Sequence, residues 1–498
     1  MTMMLSLRRF CAALLLLGLF ASAAAAQPLE EKVREHTFAN GLKLLVVERH
    51  ESPTFAAYIT IGVGSVHETS QQRGVAHLLE HMLFKGPKTL GTTDYAREKP
   101  LLEEIEKVGS ALDALKNRPD ADPRQLAELG EKLARLQQEH KQFVVKDEFS
   151  RIYGENGGVG YNAFTSKDLT TYLISLPANK LELWAAIEAD RMQNAVLREF
   201  YTEREVVREE RRRSYESSPD GMLYENLIAA AFTVHPYRHP VIGWDSDISN
   251  LSLAETRDFL HRYYAPVNTV IALVGDIDTA AAIAMVERYF GPIPPGTPVP
   301  PVTAVEPRQR GEKRLHIQFD AEPQLAVAFH KPTLPTRDDY VFDLIDLLLS
   351  QGRTSRLYRS LVVEKELATS VGTYGAPGSR YPNLFVISAV PRHPHTTGEV
   401  EAAIYAELER LAKEPVSAEE LEQARNRLRV DRLRMLQGNN GLARMLTYYQ
   451  TVADDWRYLV TYDREVETIT AEEVMTTAGT WFTPANRVVV TLGKGGEQ

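Results

Sequence analysis

The five residues His77-Leu78-Leu79-Glu80-His81 constrain this chain more than any other stretch. Val75, Ala76, Leu78, Leu79, Met82 and Leu83 surround them with apolar, helix-compatible side chains, which predicts a buried helix. Positions four apart lie on one helix face, a turn above each other. His77 and His81 can therefore aim two imidazoles at one point, with Glu80 at the edge of the same face. Burying two imidazoles and a carboxylate is costly without a metal or partners. Two neutral imidazoles and a carboxylate free to take a proton are what a zinc hydrolase needs: two ligands and a general base for a water molecule. A third ligand must come from elsewhere in the chain.

The start of the chain reads as a targeting segment. Arg8 and Arg9 precede the apolar run Phe10 to Phe20, and A-S-A-A-A-A-Q supplies an Ala-x-Ala cleavage site after Ala26. The expectation is a signal peptide over 1–26 and a periplasmic or secreted protein, with no stable membrane insertion after cleavage. The single cysteine, Cys11, falls inside this segment, so the remainder can form no disulfides and relies on its core. A formal charge of −10 argues against nucleic acid and anionic membrane as partners.

Organisation follows from periodicity. V-R-E-H-T-F, Asn40-Gly41 and L-K-L-L-V-V-E predict a β-hairpin, and Thr54 to Val63 a third strand. Leu101, Ile105, Val108, Leu112 and Leu115, then Leu126, Leu129, Leu133 and Leu136, recur at helical spacing around a Pro-containing break. They predict a helical-hairpin insertion over about 98–150. Gly291 opens a Pro/Gly-rich linker assigned to 291–311, dividing an N-terminal domain, 27–290, from a C-terminal one, 312–498. Strands and helices recur in similar order in both. The fold class is therefore α+β: two tandem homologous domains, each a mixed β-sheet packed by helices.

The candidate source of the missing ligand is the helix Phe200 to Glu216, and the second half contains no H-x-x-E-H. Arg204, Glu205, Arg208, Glu209 and Arg212 read as a solvated, ion-paired face. Glu203 and Glu210 are seven apart and share a face with Val206 and Val207, and that face should point to the core. Two core-facing carboxylates call for a cation. Glu209 is the alternative ligand, out of helical phase. His235 and His239 are four apart, but Pro236 and Pro240 forbid a helix, so they are loop residues.

With Glu80 preceding the second histidine, the motif is the inverted form of the commoner zinc-peptidase pattern. Here the chain resembles the insulinase/pitrilysin family of zinc metallopeptidases, in its mitochondrial-processing-peptidase-like bacterial branch. The resemblance implies a zinc endopeptidase with one Zn2+ per chain, acting on peptides or unfolded segments inside a closed chamber. Relatives read E-R-x-x-V-x-x-E, which makes Glu210 the third ligand and Glu203 a supporting acid. Relatives also carry Asn-Ala-x-Thr on an edge strand where substrate pairs, here Asn162, Ala163, Phe164 and Thr165.

The family's chamber takes four such domains, and active relatives reach substrate with an Arg and a Tyr from a non-zinc domain. Val362 and Thr369 stand at those positions here. The expected partner is therefore a homologous non-zinc subunit carrying the pair, with a homodimer as the alternative. A non-catalytic assembly or binding subunit is the competing function.

Overall fold

The computed structural model describes residues 28–494, so the signal-peptide assignment lies outside the described residues. Within them the chain is α+β, built on two mixed sheets. The first runs β1 (Arg34–Thr37), β2 (Lys43–Glu48), β6 (Thr269–Gly275), β3 (Thr54–Ile61), β5 (Thr170–Pro177), β4 (Val159–Thr165). The second runs β7 (Lys313–Gln318), β11 (Arg487–Gly493), β8 (Gln324–Lys331), β10 (Asn383–Pro391), β9 (Ala368–Ala376).

Setting β1 aside, the two sheets have one topology. In each half the first strand lies parallel to the last, and the remaining neighbours pair antiparallel. The Asn40-Gly41 hairpin forms as predicted, with Gly41 at φ +86° in its turn. The predicted helical hairpin is also present, as Tyr95–Lys116 and Pro123–His140.

Both faces of the central strands of each sheet are buried, because the two halves exchange a helix. Along the first sheet Leu44, Val46, Ala57 and Ile59 pack against that half's own helices. The alternate residues Leu45, Val47, Ala56 and Tyr58 pack instead on Leu442 and Leu446 of helix Asn439–Val452, from the second half. Reciprocally, Leu223, Leu227 and Ile228 of helix Pro219–Ala231 cover Ala326, Ala328 and Val386 of the second sheet. Each fully buried Leu contributes roughly 1.5–3 kcal/mol, so the exchange ties the halves together through their cores.

Candidate metal centre

The helix Val75–Met82 forms where the sequence places it, and two devices fix its start. Gly74 sits at φ +93°, and a Cβ there would lie 2.4 Å from the Ile242 carbonyl oxygen, so only glycine fits. Glu68 is buried and accepts hydrogen bonds from the N–H groups of Gly74 and Ala76, each at 2.9 Å, satisfying donors that the first helical turn leaves open. Leu78, Leu79 and Met82 anchor the opposite face in the core.

The Glu210 helix, Phe200–Arg211, crosses this one. Phe200, Arg204, Val207 and Arg211 form its buried stripe. Two residues depart from the sequence reading. Val206, expected in the core, is 45% exposed. Arg204, expected in solvent, is buried, because the helical hairpin brings Asp113 over it at 2.8 and 2.9 Å and Leu251 offers its carbonyl oxygen. Glu209 is exposed and engaged with Arg212, away from the histidines.

The two helices bring His77, His81 and Glu210 together, with one ligand atom from each lying within 4.8 Å of the others. Glu210 approaches His77 Nε2 at 3.9 Å and His81 Nε2 at 3.5 Å. Glu203 lies two turns earlier, 3.5 Å from His81 Nδ1, and pairs through its other oxygen with Lys85 Nζ at 2.5 Å. Glu199 also contacts Lys85, at 3.2 Å. Lys85 lies just past the helix end, in the following loop, so no helical spacing in the sequence marks it.

The electrostatics suit a metal-ligand set. Burial, with His81 alongside, holds the His77 imidazole at about 4, so it is neutral at pH 7. Burial works against charge on His81 too, but Glu203 and Glu210 outweigh it and lift that imidazole to about 9. A metal taking His81 Nε2 would displace that proton. Burial raises Glu203, yet contacts from His81 and Lys85 prevail and keep it below the usual carboxylate range. Glu210 is likewise lowered, chiefly by His81. Two imidazoles and one carboxylate, with a further position open, are the donor set of hydrolytic zinc sites.

Glu80 stands beside this set rather than in it. Burial raises its carboxyl, the direction that suits a proton acceptor working near neutral pH. Its partner is Thr165, whose hydroxyl donates to Glu80 Oε2 at 2.5 Å. Asn162, Ala163, Phe164 and Thr165 lie on β4, the edge of the first sheet, paired on one side only, with β5. A cavity of about 720 Å³ opens between them, bounded by Glu80, His81, Phe84, Phe149, Asn162 and Glu203. The loop after the His77 helix is held by Arg198, which is 1% exposed and donates to the carbonyl oxygens of Lys85, Gly86 and Pro87 and to Glu98. His235 and His239 sit apart from the set, His235 accepting from the Tyr237 N–H and His239 from Trp244 Nε1.

Comparison with known proteins agrees with this architecture. Residues 43–120 and 142–245 match the model of "Insulinase (Peptidase family M16)", and residues 250–428 that of "Peptidase M16 inactive domain". The break at 121–141 coincides with helix Pro123–His140. A zinc protease of Helicobacter pylori, PqqE, is 26% identical over 96% of both chains. The crystal structure of a protease from Helicobacter pylori superposes with a TM-score of 0.78 at 24% identity, covering 93% of this chain and 99% of that one. The periplasmic protease PqqL of Escherichia coli matches with a TM-score of 0.68 at 18% identity, over 94% of this chain but 48% of its own. The fold and these relatives define a metallopeptidase class. Within it, this chain belongs to the insulinase family, peptidase family M16.

Proposed function

We propose that this chain is a zinc-dependent endopeptidase acting on peptides or unfolded polypeptide segments. The observation that carries the reading is the convergence of His77, His81 and Glu210 beside Glu80. These three residues would hold one zinc ion. Zinc bound there supplies Lewis acidity, bringing the pKa of a water close to neutral and stabilising charge on a carbonyl oxygen.

The chain's own groups do the rest. The free edge of β4 pairs with an extended substrate as an added strand, which holds a scissile bond next to Glu80. Glu80, held by Thr165, takes the proton of the attacking water and passes it to the leaving amine. Glu203, backed by Lys85, fixes the His81 ring through Nδ1. Cleavage of an unstructured peptide should stop on exhaustive chelation and return with zinc. Equal cleavage by the metal-free chain would contradict the assignment, and zinc binding with no cleavage of any peptide would favour the non-catalytic alternative.

The closed chamber requires a second pair of domains. The length relation to the Escherichia coli protease, whose chain this fold covers by 48%, supports a partner. Val362 packs against the second core, and Thr369 is exposed on edge strand β9, its hydroxyl donating to the Val390 carbonyl at 3.2 Å. Neither supplies a long donor for a substrate at the zinc. The partner is therefore a homologous subunit lacking H-x-x-E-H but carrying an Arg/Tyr pair, and a fully active homodimer of this chain would refute it. Export to the periplasm or medium rests on Arg8, Arg9, the apolar run and the site after Ala26. Among the described residues no helix is long and apolar enough to cross a membrane. Cell fractionation with N-terminal sequencing tests export, and an intact Met1 in the cytoplasm would count against it.

A further inference from the structure

The helix Arg337–Ser350 follows β8 in the second half as the His77 helix follows β3 in the first. Where the first helix carries histidines, this one carries Asp339, Asp343 and Asp346 at i, i+4 and i+7. All three line a cavity of about 550 Å³. Among the described residues, only His77, His81 and Glu210 converge as a set of three metal-ligating side chains, so these carboxylates do not form a metal cage.

The cavity has unmet acceptors. Lys331, which also lines the cavity, pairs with Asp339. Asp343 and Asp346 are held by neutral donors instead: Tyr462 for the first, and Thr373 and Gln351 for the second. A separate observation comes from the facing strand. Asn383, also lining the cavity, is 5% exposed and spends its Nδ2 on the Gly378 carbonyl oxygen at 2.6 Å. That bond fixes the amide's orientation and leaves Oδ1 buried without a partner, an arrangement costly enough to call for a donor. Burial and the neighbouring Asp339 push the Asp343 carboxyl up to about 7, against the opposing pull of Tyr462 and Lys331. Tyr448, Tyr449 and Tyr458 complete the wall with aromatic rings, which attract cations over their faces.

We propose that this cavity is a recognition site for an organic ammonium or guanidinium group, such as the cationic side chain of a Lys or Arg in a bound peptide. Two carboxylates with no Lys or Arg in ion-pair contact, an orphan amide oxygen and tyrosine rings together select a donor-rich, positively charged guest over a neutral or anionic one. The Ser379 wall is also tied to the zinc-side half, since the Ser379 and Arg380 N–H groups donate to Asp168, three residues beyond Thr165 at the end of β4. The site is separate from the peptidase chemistry and does not depend on it.

The test is calorimetric titration of the full chain carrying Glu80→Gln, so that no peptide is consumed. The probes are n-butylammonium and agmatine, with 1-butanol as the neutral control, and a Lys-containing peptide beside its norleucine analogue. Saturable binding of the cations but not of butanol is expected. Asp343→Asn and Asp346→Asn should each weaken it at least about tenfold, with thermal unfolding recorded to show that both fold. A preference for the Lys peptide that Asp343→Asn abolishes identifies a peptide-borne cation as the guest. Cation binding without that preference identifies a free amine, and the site's chemistry stands. No saturable cation binding, or binding that both variants leave unchanged, overturns the proposal.

Discussion

The Thr165 hydroxyl donates to Glu80 Oε2 at 2.5 Å, joining edge strand β4 to the proposed catalytic base. Strand and base are thus positioned by one contact. Thr165→Val keeps the side chain's shape and removes the donor. A hydrogen bond to a charged group is worth about 1.5–3 kcal/mol, so kcat/KM should fall roughly 10–100-fold with zinc content unchanged. An unaltered rate would mean that Glu80 is held by other groups.

Glu203 should act on metal affinity rather than on proton transfer. It touches His81 Nδ1 at 3.5 Å and orients the ring that faces Glu210. Glu203→Gln is expected to weaken zinc binding about 10–100-fold, the usual loss when a ligand's supporting partner is removed. Competition with a fluorescent chelator measures this directly. Unchanged affinity would make Lys85 the true partner of Glu203.

Arg198 is the structural counterpart, holding the loop behind the site. Burial would raise Glu98, but His140 and Arg198 outweigh it and hold that carboxyl at about 2. Arg198→Met leaves the carboxylate buried with its main cation gone, which costs about 3–5 kcal/mol. Urea unfolding of the zinc-free protein reads this loss, and a change under 1 kcal/mol would contradict the role.

Acid should destabilise the fold over a defined window. Burial lowers His67, His235 and His239 to about 4 each. In the unfolded chain a histidine titrates near 6.5, so below that pH the unfolded state binds protons that the folded state refuses. Stability is therefore full above about pH 6.5, falls between 6.5 and 4, and changes no further from these groups below 4. Denaturation of the zinc-free protein at pH 7.5, 5.5 and 4.5 tests the sign. Rising stability across that series would contradict the burial of these rings.

Much of the site was legible because its chemistry is written in local spacing. His77, Glu80 and His81 sit on one helix, Glu203 and Glu210 on another, and four- and seven-residue intervals report a helical face without reference to the rest of the fold. The apolar runs of β2 and β3 and the Asn40-Gly41 turn likewise pointed to strands, and the recurrence of elements to a duplicated unit.

Long-range packing was not legible. The apolar residues of Pro219–Ala231 and Asn439–Val452 declare that each helix has a face to bury, but not that each buries it on the other half's sheet. Arg204 and Val206 failed for the same reason. Local charge density placed the first in solvent and hydrophobicity placed the second in the core, while the position of Asp113, 91 residues away, decided the burial of Arg204. The acidic cavity of the second half was also invisible, since Tyr462 and Thr373, which hold Asp343 and Asp346, come from two distant segments of the chain.

The most direct test of the central claim compares Glu80→Gln with Glu210→Gln, measuring zinc per chain and peptide turnover in both. If Glu80 is the base and Glu210 a ligand, Glu80→Gln keeps one zinc and loses about 10²–10⁴-fold in turnover, whereas Glu210→Gln loses the metal itself. A Glu80→Gln protein without zinc beside a Glu210→Gln protein that retains it would reverse the two roles, and full turnover in Glu80→Gln would contradict the mechanism.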